Sequence, residues 1–119
     1  MSKSPVRISH TEAREAIEGA YEDAYRHMRV AARTQLALLD PADPKTLALT
    51  VNALLKANFE QKALAKCLGV SRPTISRWAN KVNIPRSAAF RKWAVEVLRA
   101  QLVDASDVPG RLPPRPSLQ

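Results

Sequence analysis

A single cysteine, Cys67, leaves this chain without the means for an internal disulfide. Its apolar helical register marks it as a small core residue rather than a nucleophile or a ligand. The two histidines, His10 and His27, have no cysteine or carboxylate partner at metal-ligand spacing, so neither a metal nor a cofactor is expected. The three glycines form no phosphate-cradling loop, no Ser/His or Cys/His arrangement can be placed together, and the second half has no paired carboxylates. An enzyme is therefore the weakest reading. Strand-type alternation is hard to find, which argues against a sheet. No apolar run approaches a membrane span, and the N-terminus lacks the apolar core of a signal peptide. With one thiol and no membrane segment, a cytoplasmic, reducing location is expected.

Acidic residues are also scarce, but only in one half. The net charge of +8 is divided unevenly: residues 1–58 hold eight Lys/Arg against seven Asp/Glu, and residues 59–119 hold eleven against four. A basic surface confined to one region is the footprint of a polyanion binder, whereas solubility alone would not require the asymmetry. At 119 residues and 45% hydrophobic content, the chain suits one small globular domain with an appendage. Ala, Leu, Arg, Lys and Glu dominate, so the fold class is all-α.

Residues 1–8 read as a flexible arm. Ser9 can cap a helix, with Glu12 three residues later completing a capping box. A long N-terminal helix then runs over 9–39. Ala13, Ile17, Ala20, Ala24, Met28 and Ala31 form one narrow apolar stripe on it, widened by Tyr21 and Tyr25. Its acids come early and its arginines late, as the helix dipole favours, and Glu22 and Arg26 are spaced for an ion pair. "DPADP" is a turn, and a second helix starts near Lys45 and stops around Asn58, with Leu47, Val51, Leu54 and Leu55 on one face. A last helix runs from Pro85 or Arg86 to Val103. Phe90, Trp93, Ala94, Val97 and Leu98 form its buried face, and Arg91, Lys92, Glu96 and Arg99 point outward. Residues 104–119 have the composition of a Pro-rich disordered tail, and its "PPRP" fits a loose proline-recognition pattern.

Between the second and last helices lies "QKALAKCLGVSRPTISRWAN", Gln61 to Asn80. Leu64, Ala65 and Leu68 share a face of a short helix, and Gly69 can take the left-handed conformation that ends it. Ser71 is a good N-cap for a following helix. Pro73 then falls in the first turn, where backbone N–H groups lack helical partners anyway. Ile75 and Trp78 face inward. Two short helices joined at a steep angle by a Gly-containing turn make a helix-turn-helix.

Position by position the stretch resembles the helix-turn-helix of the lambda repressor/Cro-like (XRE-type) family. Gln61 stands first, the small Ala65 fifth, Gly69 ninth and the branched Ile75 fifteenth. Leu64, Leu68, Val70 and Trp78 occupy the large apolar positions. The resemblance covers roughly residues 45–103 and implies a DNA-binding domain. This chain departs from the family in its long preceding helix and in lacking the frequent glycine after Asn80.

On this reading the helix 71–80 enters the major groove. The candidate base contacts are Ser71, Arg72, Thr74, Ser76 and Arg77; the two arginines offer planar donor forks suited to guanine O6 and N7. The candidate phosphate contacts are Gln61, at a helix N-terminus, with Lys62, Lys81 and Arg86 flanking the groove. The resemblance adds Asn80 as a phosphate contact. One recognition helix reads few base pairs, so a homodimer on two half-sites is expected, with the N-terminal helix as the second contact. That helix could instead dock RNA polymerase or a co-regulator. The leading expectation is a sequence-specific transcriptional regulator of double-stranded DNA, bacterial or phage in type and nucleoid-associated. A recognition subunit for phage packaging, recombination or an autoregulating antitoxin is the alternative, as is a protein-interaction adaptor on the same fold.

Overall fold

The computed structural model describes residues 9–102 and 114–116; the arm 1–8 and the rest of the tail 104–119 lie outside the described residues. Within them the chain forms five helices: α1 His10–Leu36, α2 Pro44–Lys56, α3 Gln61–Leu68, α4 Arg72–Ala79 and α5 Ala88–Ala100. The fold is all-α, with a long N-terminal helix preceding a compact cluster of four.

Short polar side chains set the helix starts by satisfying backbone donors that have no partner within the helix. Ser9 Oγ accepts from the Glu12 N–H at 3.0 Å. Asp43 Oδ1 accepts from the Lys45 N–H at 2.8 Å, with Pro44 in the first turn of α2. Ser87 Oγ accepts from the Phe90 N–H at 3.1 Å. This last cap corrects the expected start of α5 at Pro85 or Arg86: the helix begins behind Ser87, leaves Pro85 in the loop and ends at Ala100. α1 ends at Leu36 rather than Leu39. Asp40 precedes Pro41, and the residue before a proline is driven out of the helical region. The expected Glu22–Arg26 pair does not form; Arg26 lies 3.7 Å from Asp23, and Arg14 pairs with Glu18 at 3.1 Å. Both pairs are exposed and contribute little.

The ends of α2, α3 and α4 share one solution. In each, a left-handed residue follows the helix: Asn58 (φ 74), Gly69 (φ 67) and Lys81 (φ 61). The next N–H then reaches back five residues, Phe59 to the Leu54 carbonyl, Val70 to that of Ala65 and Val82 to that of Arg77. These are Schellman closures, which satisfy carbonyls that the helix leaves over. The loop after Asn80 therefore makes the expected turn without glycine, at the steric cost of a side chain in the left-handed region.

The core is a single cluster. Leu47, Val51 and Leu54 of α2 meet Leu64, Ala65 and Leu68 of α3, Ile75 and Trp78 of α4, and Phe90, Val95 and Leu98 of α5. Trp78 and Phe90 pack edge to face, 5.9 Å between ring centres, and the Trp78 Nε1–H donates to the Asn83 carbonyl at 3.2 Å. Burial of an aromatic of this size contributes about 3–5 kcal/mol by the cost of its truncation. Cys67 corrects an expectation: it is exposed. Arg91 corrects another. Its guanidinium turns back instead of outward and donates to the carbonyls of Ala42 (2.7 Å), Pro85 (2.8 Å) and Arg86 (2.7 Å). It thereby ties α5 to the turn before α2 and to the α4–α5 loop. From the tail, Arg115 Nη1 lies 3.4 Å from the Gly69 carbonyl oxygen, its guanidinium 5.7 Å from the centre of the Phe90 ring.

Lys81→Gly removes the left-handed strain and should raise stability by about 1 kcal/mol. For a domain of this size that is an increase of about 4–8 °C in Tm, read by circular dichroism melting.

Candidate nucleic-acid interface

α4 is presented by its two buried residues. Ile75 and Trp78 are 0% and 2% exposed, which turns the opposite face to solvent. At about 100° per residue, Arg72, Pro73, Ser76, Arg77 and Asn80 share that outer face. Arg72, Pro73, Arg77 and Asn80 are exposed and Ser76 is half-buried. A side chain of α2 fixes the far end of α4: Asn52 Nδ2 donates to the Ala79 carbonyl at 2.8 Å and to the Ala48 carbonyl at 3.0 Å. The helix is therefore anchored by packing along its length and by a hydrogen bond at its last turn.

Its first turn is closed by its own residues. Ser71 Oγ accepts from the Thr74 N–H at 3.3 Å and lies 2.8 Å from Thr74 Oγ1. Ser71 and Thr74 are therefore occupied with each other, and Thr74 sits on the flank of the helix rather than on the outer face. The start of α3 is different. Its N-cap, Glu60, makes no side-chain cap hydrogen bond, so the first-turn donors at Gln61 have no side chain covering them. Gln61 comes together with Arg72 and Pro73 around one shallow cleft of about 340 Å³. Two helix starts thus converge on the same space, one capped internally and one open.

The remaining candidates surround this face. Lys62 is exposed on the first turn of α3, Lys81 is the exposed left-handed residue just past α4, and Arg86 is exposed in the loop before α5. Asn80 caps the end of α4 with its Nδ2 donating to the Ser76 carbonyl at 2.9 Å, and the residue is exposed. Among the described residues the ion pairs both lie on α1, so no cation of this surface is matched to a carboxylate. Nor do three or more His, Cys, Asp or Glu side chains gather there to hold a metal ion. No helix among the described residues is long and apolar enough to cross a membrane.

Sequence reasoning missed Pro73 as a surface residue, having used it only to mark the helix start. Its position in the first turn, two residues after the cap, would have placed it outward by periodicity alone. Asn52 was also missed; the signal was a lone amide in an otherwise apolar stretch of α2.

Residues 52–95 match the family model described as helix-turn-helix. This segment belongs to the helix-turn-helix family of the XRE/Cro/C1 type. The match runs from the second half of α2 through α3 and α4 into α5, and lies inside the domain expected over 45–103. No curated protein and no solved structure matches the chain. The helix-turn-helix domain implies DNA binding, in a family that is typically non-enzymatic.

Ser71→Ala should cost about 1 kcal/mol by opening the first turn of α4. Chemical denaturation should show a lower midpoint, and amide exchange at Thr74 should quicken.

Proposed function

We propose that this protein is a sequence-specific transcriptional regulator, bacterial or phage in type, that reads double-stranded DNA with α4 in the major groove. The observation that carries this reading is the outer face of α4: two exposed arginines, unmatched by any carboxylate among the described residues, on a helix held at both ends. Arg72 and Arg77 offer bidentate donors to guanine. Ser76 and Pro73 lie between them, suited to a base edge and to a thymine methyl. Ser71 and Thr74 serve the readout by holding the first turn rigid, with lone pairs left for a base or a bridging water.

The phosphate contacts come from the periphery. Gln61 and the open start of α3 meet one strand, with Lys62 beside them, and Asn80, Lys81 and Arg86 extend the contact past the far end of α4. These positions carry no sequence information and set register and affinity. A single α4 covers few base pairs, so a second copy supplies the second half-site. The partners on this reading are DNA and a twin chain.

Selection of the full chain against a randomised duplex pool should enrich an inverted repeat. Arg72→Ala and Arg77→Ala should each cost about 1–3 kcal/mol on the selected site and relax one base position. Lys81→Gly should weaken all duplexes alike and lower the slope of log affinity against log salt by about 1, while raising stability. Equal binding of every duplex by parent and arginine variants would overturn the reading.

A further inference from the structure

Among the described residues of the tail, Arg115 reaches the domain at two points. Its Nη1 lies 3.4 Å from the Gly69 carbonyl oxygen, and its guanidinium carbon lies 5.7 Å from the centre of the Phe90 ring. The two targets belong to different elements: Gly69 makes the turn that ends α3, and Phe90 lies in the first turn of α5.

Gly69 accommodates this neighbour as well as its own backbone. A β-carbon added there would come within 2.7 Å of Arg115 Nη1 and 3.6 Å of its Cζ. The φ of 67° accounts for a glycine at this position, but not for the guanidinium that fills the space beside it. Among the described residues Arg115 is the one donor to the Gly69 carbonyl. That oxygen stands at the negative end of the α3 dipole, where a cation is favoured. Phe90 supplies the other half of the seat. Trp78 meets its ring at 5.9 Å and Trp93 at 5.4 Å, and Arg115 lies over it. Phe90 is fully buried and Arg115 is exposed, so the pair sits at the rim of the core. A guanidinium suits this place: its flat face covers a ring while an N–H at its edge donates to a carbonyl. The point charge of a lysine does not combine the two.

We infer that Arg115 is a positioning residue for α4: seated between the Gly69 carbonyl and the Phe90 ring, it pins the α3–α4 turn to the start of α5. Trp78 joins Phe90 to the inner face of α4, so the seat closes a circuit from the end of α3 through α5 to α4. Restraint at the turn fixes the direction in which α4 leaves it. The seat itself needs no DNA; its consequence for base reading rests on the function proposed above.

NMR, amide exchange and melting of the full chain without DNA test the seat. The parent should show a nuclear Overhauser contact between the Arg115 side chain and the Phe90 ring, with the Arg115 protons shifted upfield by that ring. Arg115→Ala and Arg115→Lys should each quicken exchange at Val70 by roughly three- to fivefold and lower Tm by about 2–8 °C. Gly69→Ala both strains the turn and evicts the guanidinium. Combined with Arg115→Ala it should therefore melt within about 1 °C of Gly69→Ala alone. On the selected duplex, both Arg115 variants should narrow the preference over random sequence by roughly threefold, with the salt dependence unchanged. Random-coil shifts for Arg115, or additive losses in the double variant, would overturn the seat. Parental exchange and preference in Arg115→Lys would reduce Arg115 to a diffuse charge, and a shallower salt dependence in Arg115→Ala would make it a phosphate contact; either result overturns the positioning role. If no duplex is selected, the function proposed above fails, while the shift, exchange and melting results still decide the seat.

Discussion

The presentation of α4 depends on one left-handed turn. At Gly69 the chain leaves α3, the Val70 N–H closes back on the Ala65 carbonyl at 3.0 Å, and two residues later Ser71 opens α4. The turn is tight only because α3 and α4 touch closely, and Ala65, 4% exposed, is the small side chain that permits it. A larger residue at 65 would push α4 away from α3 and tilt the arginine face. A β-carbon at 69 would be strained by the backbone itself, before any neighbour is considered. The outer face of α4 is thus set by two positions that carry no polar side chain at all.

From that turn the rest of the domain follows as a set of clamps on α4. Ile75 and Trp78 anchor its inner face, Asn52 holds the Ala79 carbonyl, and Trp78 holds the Asn83 carbonyl beyond. Arg91 secures the same loop from the other side through the carbonyls of Pro85 and Arg86. A helix of two turns has little stability of its own. What holds α4 in place is the number of independent attachments along it and at its ends.

The parts legible in the sequence were those governed by local chemistry. Ser9, Ser71 and Gly69 act within a few residues of themselves, so their roles could be read from neighbours alone. The heptad-like stripe of α1 and the inner face of α4 follow from periodicity. What escaped depended on distant neighbours. Arg91 looked like a solvated cation because its acceptor at Ala42 lies 49 residues away. Cys67 lay just off the arc that Leu64, Ala65 and Leu68 bury, and an eight-residue helix gives too few points to fix where that arc ends. The left-handed Lys81 was hidden because glycine is the usual marker of such a turn, and here the hydrogen bonds of Val82 and Lys81 hold a lysine in that conformation instead. For the candidate surface, residue types did not show how the first turn of α4 is arranged: Ser71 and Thr74 bond to each other, and Pro73 stands exposed beside them.

That arrangement bears on how affinity and specificity would be separated in this domain. The start of α4 is closed by Ser71 and Thr74, so on the proposed reading an incoming acceptor would gain little from its backbone and recognition would fall to the arginine side chains. The start of α3 has no such cap, and its N-terminal Glu60 leaves the first-turn donors of Gln61 facing outward. A phosphate there would take up donors that have no side-chain cap, and would meet the positive end of the α3 dipole. On the proposed reading, a closed start on α4 and an open start on α3 would direct the anion to α3 and the bases to α4. Both helices are short, and of the two only α4 has its start closed by a side chain.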